Sequence, residues 1–311
     1  DSIVTSGGSR QLGTVISDDF VQPYALNTTA GVGWQLNGTT ALDVDYVHSY
    51  GNHQVGSTDR NLPLTGPITA VNPRPVPNFS QVVMLENYTR SWYDAAEIQL
   101  RTYVGSTHSL QASYTLSRSY LDGVDFFLTT RGTQRTPHER GYNPTDQRHN
   151  LAVAATVTLP GDVQIAGILK LVSGSPIKVQ SGRDLDGDST ITGDLPPGIP
   201  MTVGRERVEE SLAAINAFRA SLGLAPNDRQ LLALDPQRAL DMRIAKSLRL
   251  GRGHRLELLV EAFNVTNHVN FRPPIASGDP SAGVSINAAS FLVRTSARDA
   301  RQIQWGARYR F

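Results

Sequence analysis

Apolar and polar side chains alternate with a period of two through nine long segments, and this alternation limits the fold more than any other feature of the sequence. Between residues 239 and 250, Leu240, Met242 and Ile244 share one face, while Asp241 and Arg243 share the other. A period of two is typical of a β-strand whose two faces meet different surroundings. The pattern predicts an all-β chain with strands at residues 24–36, 39–50, 91–103, 108–120, 148–159, 163–174, 239–250, 254–266 and 299–311.

The connections between these segments alternate between tight turns, at 37–38, 105–106, 160–162 and 251–253, and long links, at 51–90, 121–147, 175–238 and 267–298. Such asymmetry is typical of outer-membrane barrels, whose strands need roughly 9–11 residues to cross a bilayer. Alternation alone would suit a soluble β-sandwich equally well. Together, strand length and loop asymmetry predict a transmembrane, antiparallel, up-and-down β-barrel with long extracellular loops. We assign residues 24–311 to this barrel and residues 1–23 to the end of a preceding loop or strand.

The composition excludes several other classes of protein. The 311 residues carry a formal net charge of +1, which leaves too little basic surface for a nucleic-acid binder. There is no cysteine, so a disulfide scaffold, a thiolate metal site and a cysteine nucleophile are excluded. No apolar run approaches the roughly 18–20 residues of a membrane helix. The strands of a membrane barrel alternate and keep the average polarity high.

The final segment has a pattern of its own. The spacing of Gln304, Gly306, Tyr309 and Phe311 resembles the terminal β-signal by which the barrel-assembly machinery recognises bacterial outer-membrane barrels. Tyr309 and Phe311 would stand in the aromatic girdle at the periplasmic interface. The sequence therefore predicts a location in the bacterial outer membrane, in contact with its lipid and with the C-terminus on the periplasmic side.

Several segments together resemble the C-terminal barrel of TonB-dependent receptors, and most closely the Oar-like subgroup, whose members carry a carboxypeptidase-regulatory-like domain. These segments are residues 91–119, 143–160, 173–177, 183–197 and 240–271. The resemblance implies a 22-stranded barrel, a plug domain that fills its lumen, and a TonB box that couples it to inner-membrane energy. It also implies uptake of a scarce nutrient such as an iron chelate, a saccharide or a peptide.

The front of the chain departs from this family pattern. No plug, TonB box or signal peptide is visible there, and nine strands do not make the even number found in bacterial barrels. An open edge in hydrocarbon is prohibitive, so we expect this chain to be the C-terminal part of a longer polypeptide that contacts TonB through a preceding plug region. Two other functions stay open, namely an adhesion or binding barrel and a passive porin.

An acidic turn in the longest link raises the question of a metal. Asp184, Asp186 and Asp188 stand at two-residue spacing and offer the oxygen ligands that Ca²⁺ prefers. The helix-loop-helix calcium motif needs Gly at its sixth position and Glu at its twelfth, whereas Gly187 is fourth and Leu195 is twelfth here. Either a solvated acidic turn or a calcium-braced loop fits these residues.

The same link contains a helical pattern that ends at Gly223 and Pro226. Its apolar positions recur at helical spacing and are Val208, Leu212, Ile215 and Phe218. We expect a short amphipathic helix that packs on the mouth of the barrel. The alternative is a helix that binds a partner protein.

Charged residues on the polar face of the last strands are predicted to point into the lumen. They are Arg243, Glu257 and Glu261, and in a plugged barrel such charges pair with plug residues or hold water, the alternative being direct contact with the ligand. Lys246 is an exception, because it falls on the apolar face near a strand end, where its amine can reach the headgroups.

The sequence gives no support for catalysis. There is no P-loop, no G-x-S-x-G elbow and no H-E-x-x-H motif, and the seven histidines are scattered. Asp43, Asp45, His48 and His53 contain the residue types of a hydrolase site, but such a site needs a third partner that the sequence does not place. We therefore predict a protein that is not an enzyme and has no cofactor, apart from the calcium alternative above.

Overall fold

The alternating segments form long antiparallel strands that follow one another across one sheet. The computed structural model describes residues 11–105, 107–123, 129–130, 140–185, 187–189, 191, 194–196, 198–251, 253–274 and 283–311. In chain order the strands are β1 Gln11–Ile16, β2 Tyr24–Asn37, β3 Thr40–Asp59, β4 Phe79–Val104, β5 His108–Asp122, β6 Thr129–Thr130, β7 Arg140–Tyr142, β8 His149–Leu159, β9 Val163–Val172, β10 Ile177–Gln180, β11 Thr202–Val203, β12 Gln237–Gly251, β13 His254–Phe263, β14 Val284–Ser285 and β15 Gln302–Arg310.

The nine long strands are paired in the order β2-β3-β4-β5-β8-β9-β12-β13-β15. Each pairs with its sequence neighbours among these nine, as an up-and-down barrel requires, so the predicted all-β antiparallel fold is confirmed. Within the described part of the chain the sheet is open, because β2 and β15 each pair with only one long strand.

The register keeps apolar side chains in rows on one face of the sheet. Val260 of β13 lies beside Ile244 of β12 and Trp305 of β15. Val260 is 48% exposed and Trp305 is 85% exposed. Rows of exposed large apolar side chains suit a surface that is covered by acyl chains rather than by water. We call this the apolar face and the opposite side the polar face.

The turn between β8 and β9 shows how the short connections are built. Gly161 has a φ of +83° and Asp162 a φ of +59°, and positive φ at successive residues is typical of the tight hairpin turns that match the strand twist. Lys246, the one cation that the sequence placed on the apolar face of β12, donates a hydrogen bond to the carbonyl of Gly161. Its charge therefore lies at the strand end.

The prediction of a loop over residues 51–90 is wrong for most of that range. Strand β3 continues to Asp59, β4 begins at Phe79, and the two remain paired from Gly51 to Asp59. The pairing register shifts between Gly51 and Gln54, and His53 has a φ of +51°. This bulge interrupts the alternation from which strands were predicted. Strand β1, from the region assigned to a preceding loop or strand, runs parallel to the extended part of β4.

The predicted helix in the longest link is confirmed as α1, Val208–Ser221. Ile215 is fully buried, and the other predicted apolar positions pack around the same core. The link before β15 contributes to this core as well. The buried members of the whole core are Ile177, Val179, Ile199, Val203, Ile215, Leu232, Ile286, Phe291 and Leu292. We call this body, formed by β10, β11, α1, β14 and their connections, the loop lobe. No helix in the described ranges has the length and apolarity needed to cross a bilayer.

Arg219 connects helix α1 to the link before β15 within the loop lobe. Its guanidinium group is buried and donates hydrogen bonds to the carbonyls of Ile286, at 2.6 Å, and Ala288, at 3.0 Å. It also lies 5.7 Å from the ring centre of Phe291. These hydrogen bonds and the contact with the aromatic ring stabilise the cation, and they hold helix α1 and the link before β15 together as one unit.

Candidate functional site

A polar hollow of about 330 Å³ lies on the polar face of the sheet, at the end where the long loops emerge. Its wall is formed by successive odd-numbered positions of β4 and β5, which the register sets side by side. The segment that leads into β8 closes the remaining side. The lining residues are Tyr93, Glu97, Thr115, Ser117, Ser119, Thr145, Asp146, Gln147 and Asn150. Hydroxyl, amide and carboxylate groups thus converge on one space, which is the chemistry of a polar-ligand site.

The carboxylate of Asp146, beneath the hollow, is neutralised by the loop that precedes α1. Arg205 Nη2 lies 3.0 Å from Asp146 Oδ2, and the Asp146 side chain is fully buried. The same nitrogen donates to the carbonyls of Asp146 and Gly174, both at 3.0 Å. Burial lowers the pKa of Arg205, and the attraction of Asp146 opposes that shift. This ion pair fixes the long link against the rim of the sheet.

Two other carboxylates near the hollow lack such compensation. Glu97 of β4 and Asp45 of β3 are register partners on the polar face, and neither forms an ion pair within the described residues. The nearby Asp43 is different, because Arg101 lies 2.5 Å from it. Glu97 and Asp45 thus differ from Asp146, whose charge Arg205 offsets.

The three charges that the sequence assigned to the lumen lie together on the polar face of β12 and β13. Arg243 Nη2 lies 2.8 Å from Glu257 and Nη1 lies 3.7 Å from Glu261. Gln304 of β15 donates to Glu261 at 2.6 Å, and Arg308 lies 3.8 Å from Glu257. Within this chain the charges pair with one another. Their pairing with a plug or with a ligand stays a prediction.

The residues considered for a hydrolase site do not come together. Asp43 and Asp45 lie on the polar face, whereas His48 is on the opposite face, where its Nδ1 lies 2.7 Å from Asp94. His53 sits beyond the bulge and faces the ring of Tyr24 at 5.7 Å. These four residues therefore do not form one constellation.

In the acidic turn, two of the predicted carboxylates are joined by a third that the spacing did not indicate. Oxygens of Asp184, Asp188 and Asp194 lie within 4.8 Å of one another, and the last two residues are buried. Asp186 lies outside the described residues. Asp184 also accepts hydrogen bonds from the backbone amides of residues 187–189, which shapes the turn.

Because like charges repel at this separation, a bound Ca²⁺ would relieve the repulsion among the three carboxylates. We predict that Ca²⁺ in the roughly 0.1–1 mM range slows proteolysis of the loop lobe and that a chelator reverses the effect. Asp184→Asn should abolish the response, while Asp228→Asn, in the same lobe but outside the cluster, should retain it. If the cleavage rate is identical with and without Ca²⁺, the calcium site is excluded and the segment is a solvated acidic turn.

Comparisons with known proteins agree with this architecture. The family model described as "Outer membrane beta barrel domain" matches residues 3–304. The chain belongs to this outer-membrane β-barrel family. It resides in the bacterial outer membrane, and its apolar face contacts lipid.

The fold is also found in a solved structure. The chain is similar to the outer membrane transporter YddB from Escherichia coli, with a TM-score of 0.52 and 9% sequence identity over 85% of this chain and 31% of that one. The FrpB iron transporter from Neisseria meningitidis gives a TM-score of 0.48 at 13% identity, over 94% of this chain and 32% of that one. The chain thus spans about a third of the length of these transporters. No curated protein matches.

The terminal residues of this outer-membrane barrel lie on both faces of β15. Gly306 faces Leu259 of β13 on the polar face. Tyr309 stacks on His254, with its hydroxyl 2.8 Å from Nδ1, and Phe311 stacks on Tyr309. Recognition of Gln304, Gly306, Tyr309 and Phe311 by the assembly machinery stays a prediction.

Sequence reasoning missed the polar hollow of the barrel. The alternating Ser113, Thr115, Ser117 and Ser119 did signal a hydroxyl-rich face of β5. The carboxylate of Asp146 and the cation that neutralises it are 59 residues apart in the sequence, so the closure of the hollow depends on tertiary structure.

Proposed function

We propose that this chain forms part of the wall of a TonB-dependent transporter, which takes up a scarce nutrient through its lumen. The observation that carries the proposal is the polar hollow at the loop end of the polar face, because a barrel turns its polar face toward the lumen. A ligand that enters between the extracellular loops meets this hollow before it reaches the charged cluster of Arg243, Glu257 and Glu261.

The hollow favours a neutral or cationic ligand that is rich in hydroxyl or amide groups. Arg205 neutralises Asp146, whereas Glu97 and Asp45 have no ion-pair partner among the described residues, and the lining includes no lysine or arginine. An anionic iron chelate would meet repulsion here. Among the three nutrient classes implied by the family resemblance, the lining therefore supports a saccharide or a peptide.

The energy coupling of the proposal rests on the resemblance to the Oar-like subgroup, which implies a plug region and a TonB box. A strain that lacks the complete gene is tested for growth on defined carbon, peptide and iron sources, with and without TonB. We expect a growth defect on a saccharide or peptide source and the same defect when TonB is removed. Uptake that persists without TonB indicates a passive porin, and surface binding without uptake indicates an adhesion barrel.

A bulky side chain in the hollow tests its place on the transport path. Thr115→Trp projects an indole into the hollow, whereas Leu116→Trp puts the same group on the apolar face of the same strand, toward lipid. We expect Thr115→Trp to reduce uptake by at least about tenfold, equivalent to about 1.4 kcal/mol, and Leu116→Trp to leave uptake within about twofold. Surface labelling provides the check on folding. Equal uptake by both variants would show that the hollow does not lie on the transport path.

A further inference from the structure

Near the end of the sheet where the long loops emerge, three successive rows on the apolar face consist of charged or aromatic residues. The register of β3, β4, β5 and β7 defines these rows across the strands. The row closest to the apolar band contains His48, Asp94 and Arg118. An aromatic row of Tyr50, Trp92, Tyr120 and Tyr142 follows, and a second charged row of Arg90, Asp122 and Arg140 lies beyond it.

The aromatic row marks the outer edge of the membrane. Its neighbouring rings are 5.7, 6.3 and 5.7 Å apart from Tyr50 to Tyr142. Tyr50 stands ten residues beyond Thr40, the first residue of β3. Ten residues of a strand tilted by roughly 40° rise about 25 Å, which is the height of the apolar band of an outer-membrane barrel. The two charged rows therefore flank this edge, one on each side, and from both positions a long arginine side chain can reach the lipid headgroups of the outer leaflet.

Two adjoining hollows open on this surface. One has a volume of about 220 Å³ and lies between Trp92, Asp94, Arg118 and Tyr120. The other has a volume of about 300 Å³, shares both aromatic residues, and is completed by Arg90, Asp122 and Arg140. Both hollows thus combine an aromatic wall with at least one guanidinium group.

The guanidinium groups retain donors that can face a headgroup. Arg140 uses Nε for Asp122, at 2.8 Å, and its side chain is 51% exposed. Arg118 is 49% exposed, lies 3.7 Å from Glu206, and stacks over the rings of Tyr120 and Tyr142. Arg90 Nε is buried and has no hydrogen-bond partner among the described residues. A guanidinium has five N–H donors, so each of these arginines can still bind another group.

The acidic residues of this surface are already engaged. Asp94 accepts hydrogen bonds from Tyr46 and lies 2.7 Å from His48, and Asp122 pairs with Arg140. The hydrogen-bond donors that this surface can offer to a ligand therefore belong to the positively charged arginines. Planar guanidinium groups bind phosphate through two parallel hydrogen bonds, and phosphate is the anion that lipid headgroups present at this level.

We propose that this surface is a binding site for the phosphorylated headgroup of an outer-leaflet lipid, held by Arg118 and Arg140 against the Trp92 and Tyr120 rings. The site lies on the opposite side of the barrel wall from the polar hollow, so it does not depend on the proposed transport function. It would fix the depth and orientation of the barrel in the outer leaflet.

The test uses the full-length protein in neutral detergent, titrated with diphosphorylated lipid A, with its dephosphorylated form and with inorganic phosphate, and followed by native mass spectrometry. We expect the diphosphorylated lipid to bind at least about tenfold more tightly than the dephosphorylated form, since charge-assisted contacts are lost. Inorganic phosphate should compete only weakly. Equal affinity for the two lipids would overturn the proposal, and tight binding of phosphate alone would assign the site to a free anion.

The double variant Arg118→Gln/Arg140→Gln should lose the preference for the phosphorylated lipid by about tenfold. The matched control is Arg101→Gln, because Arg101 is 46% exposed and ion-paired like the other two but lies on the polar face. It should bind like the parent protein. An equal loss in the control would show a general effect of net charge and would contradict the proposal. If the double variant does not fold, the comparison of the two lipids on the parent protein still decides.

Discussion

Replacement of Arg74 by methionine should lower the free energy of unfolding of the loop region by about 3–5 kcal/mol, because it leaves a buried carboxylate without its cation. The side chains of Arg74 and Asp59 are only 5% and 0% exposed, and Nη1 lies 2.8 Å from Oδ2. Arg74 also donates to the carbonyl of Asp188 at 2.7 Å, which ties the link between β3 and β4 to the acidic turn. Limited proteolysis and hydrogen exchange of both links measure the loss.

Arg60→Met is the matched control for this prediction. Arg60 lies in the same link and pairs with Glu86, but its side chain is 45% exposed. Exposed ion pairs contribute about 0–1 kcal/mol, so we expect exchange rates near those of the parent protein. A second variant, Asp59→Asn combined with Arg74→Met, should recover part of the stability because it removes the unpaired charge. Similar losses from Arg60→Met and Arg74→Met would argue against the burial effect.

Val260→Arg should destabilise the barrel by about 2–4 kcal/mol, the cost of an arginine that faces lipid near the middle of the bilayer. Val260 lies in the apolar row between Ile244 and Trp305, six residues from the short-turn end of β13. From there the guanidinium group cannot easily reach either interface. Reversible unfolding of the refolded full-length barrel in lipid vesicles measures the change.

The neighbouring residue provides the control for the orientation of the strand. Leu259 faces the opposite side, over Gly306 and near Glu257 and Glu261. Leu259→Arg should therefore change the stability by less than about 1 kcal/mol, since the new cation meets water and carboxylates. If Leu259→Arg were the more damaging variant, the assignment of the two faces would be reversed.

The sequence was sufficient for the wall of the barrel because a two-residue period is a local signal. The segment predicted at 24–36 is β2, Tyr24–Asn37, and the one predicted at 254–266 is β13, His254–Phe263. Tight turns such as Gly161-Asp162 are local as well. The extensions of β3 and β4 were missed because the bulge near His53 breaks the alternation, and because the extended parts lie beyond the acyl chains that enforce it.

The long links could not be predicted beyond helix α1, since their structure rests on pairs of residues that are distant in sequence. Strand β10 meets β14 more than a hundred residues later. In the acidic turn, Asp194 joins Asp184 and Asp188, and the two-residue spacing from which the site was predicted could not indicate this third carboxylate. The helical period revealed which residues of α1 are buried, but not the residues against which they pack.

The shared core of the loop lobe determines what kind of epitope the two links present at the cell surface. Ile215 and Ile286 are packed into one interior although they belong to different extracellular links. An antibody or a bacteriophage protein that contacts this exterior would recognise a composite epitope, which neither link presents as an isolated peptide. Selection for escape from such a binder would therefore act on both links together and be restricted by the interior that they share.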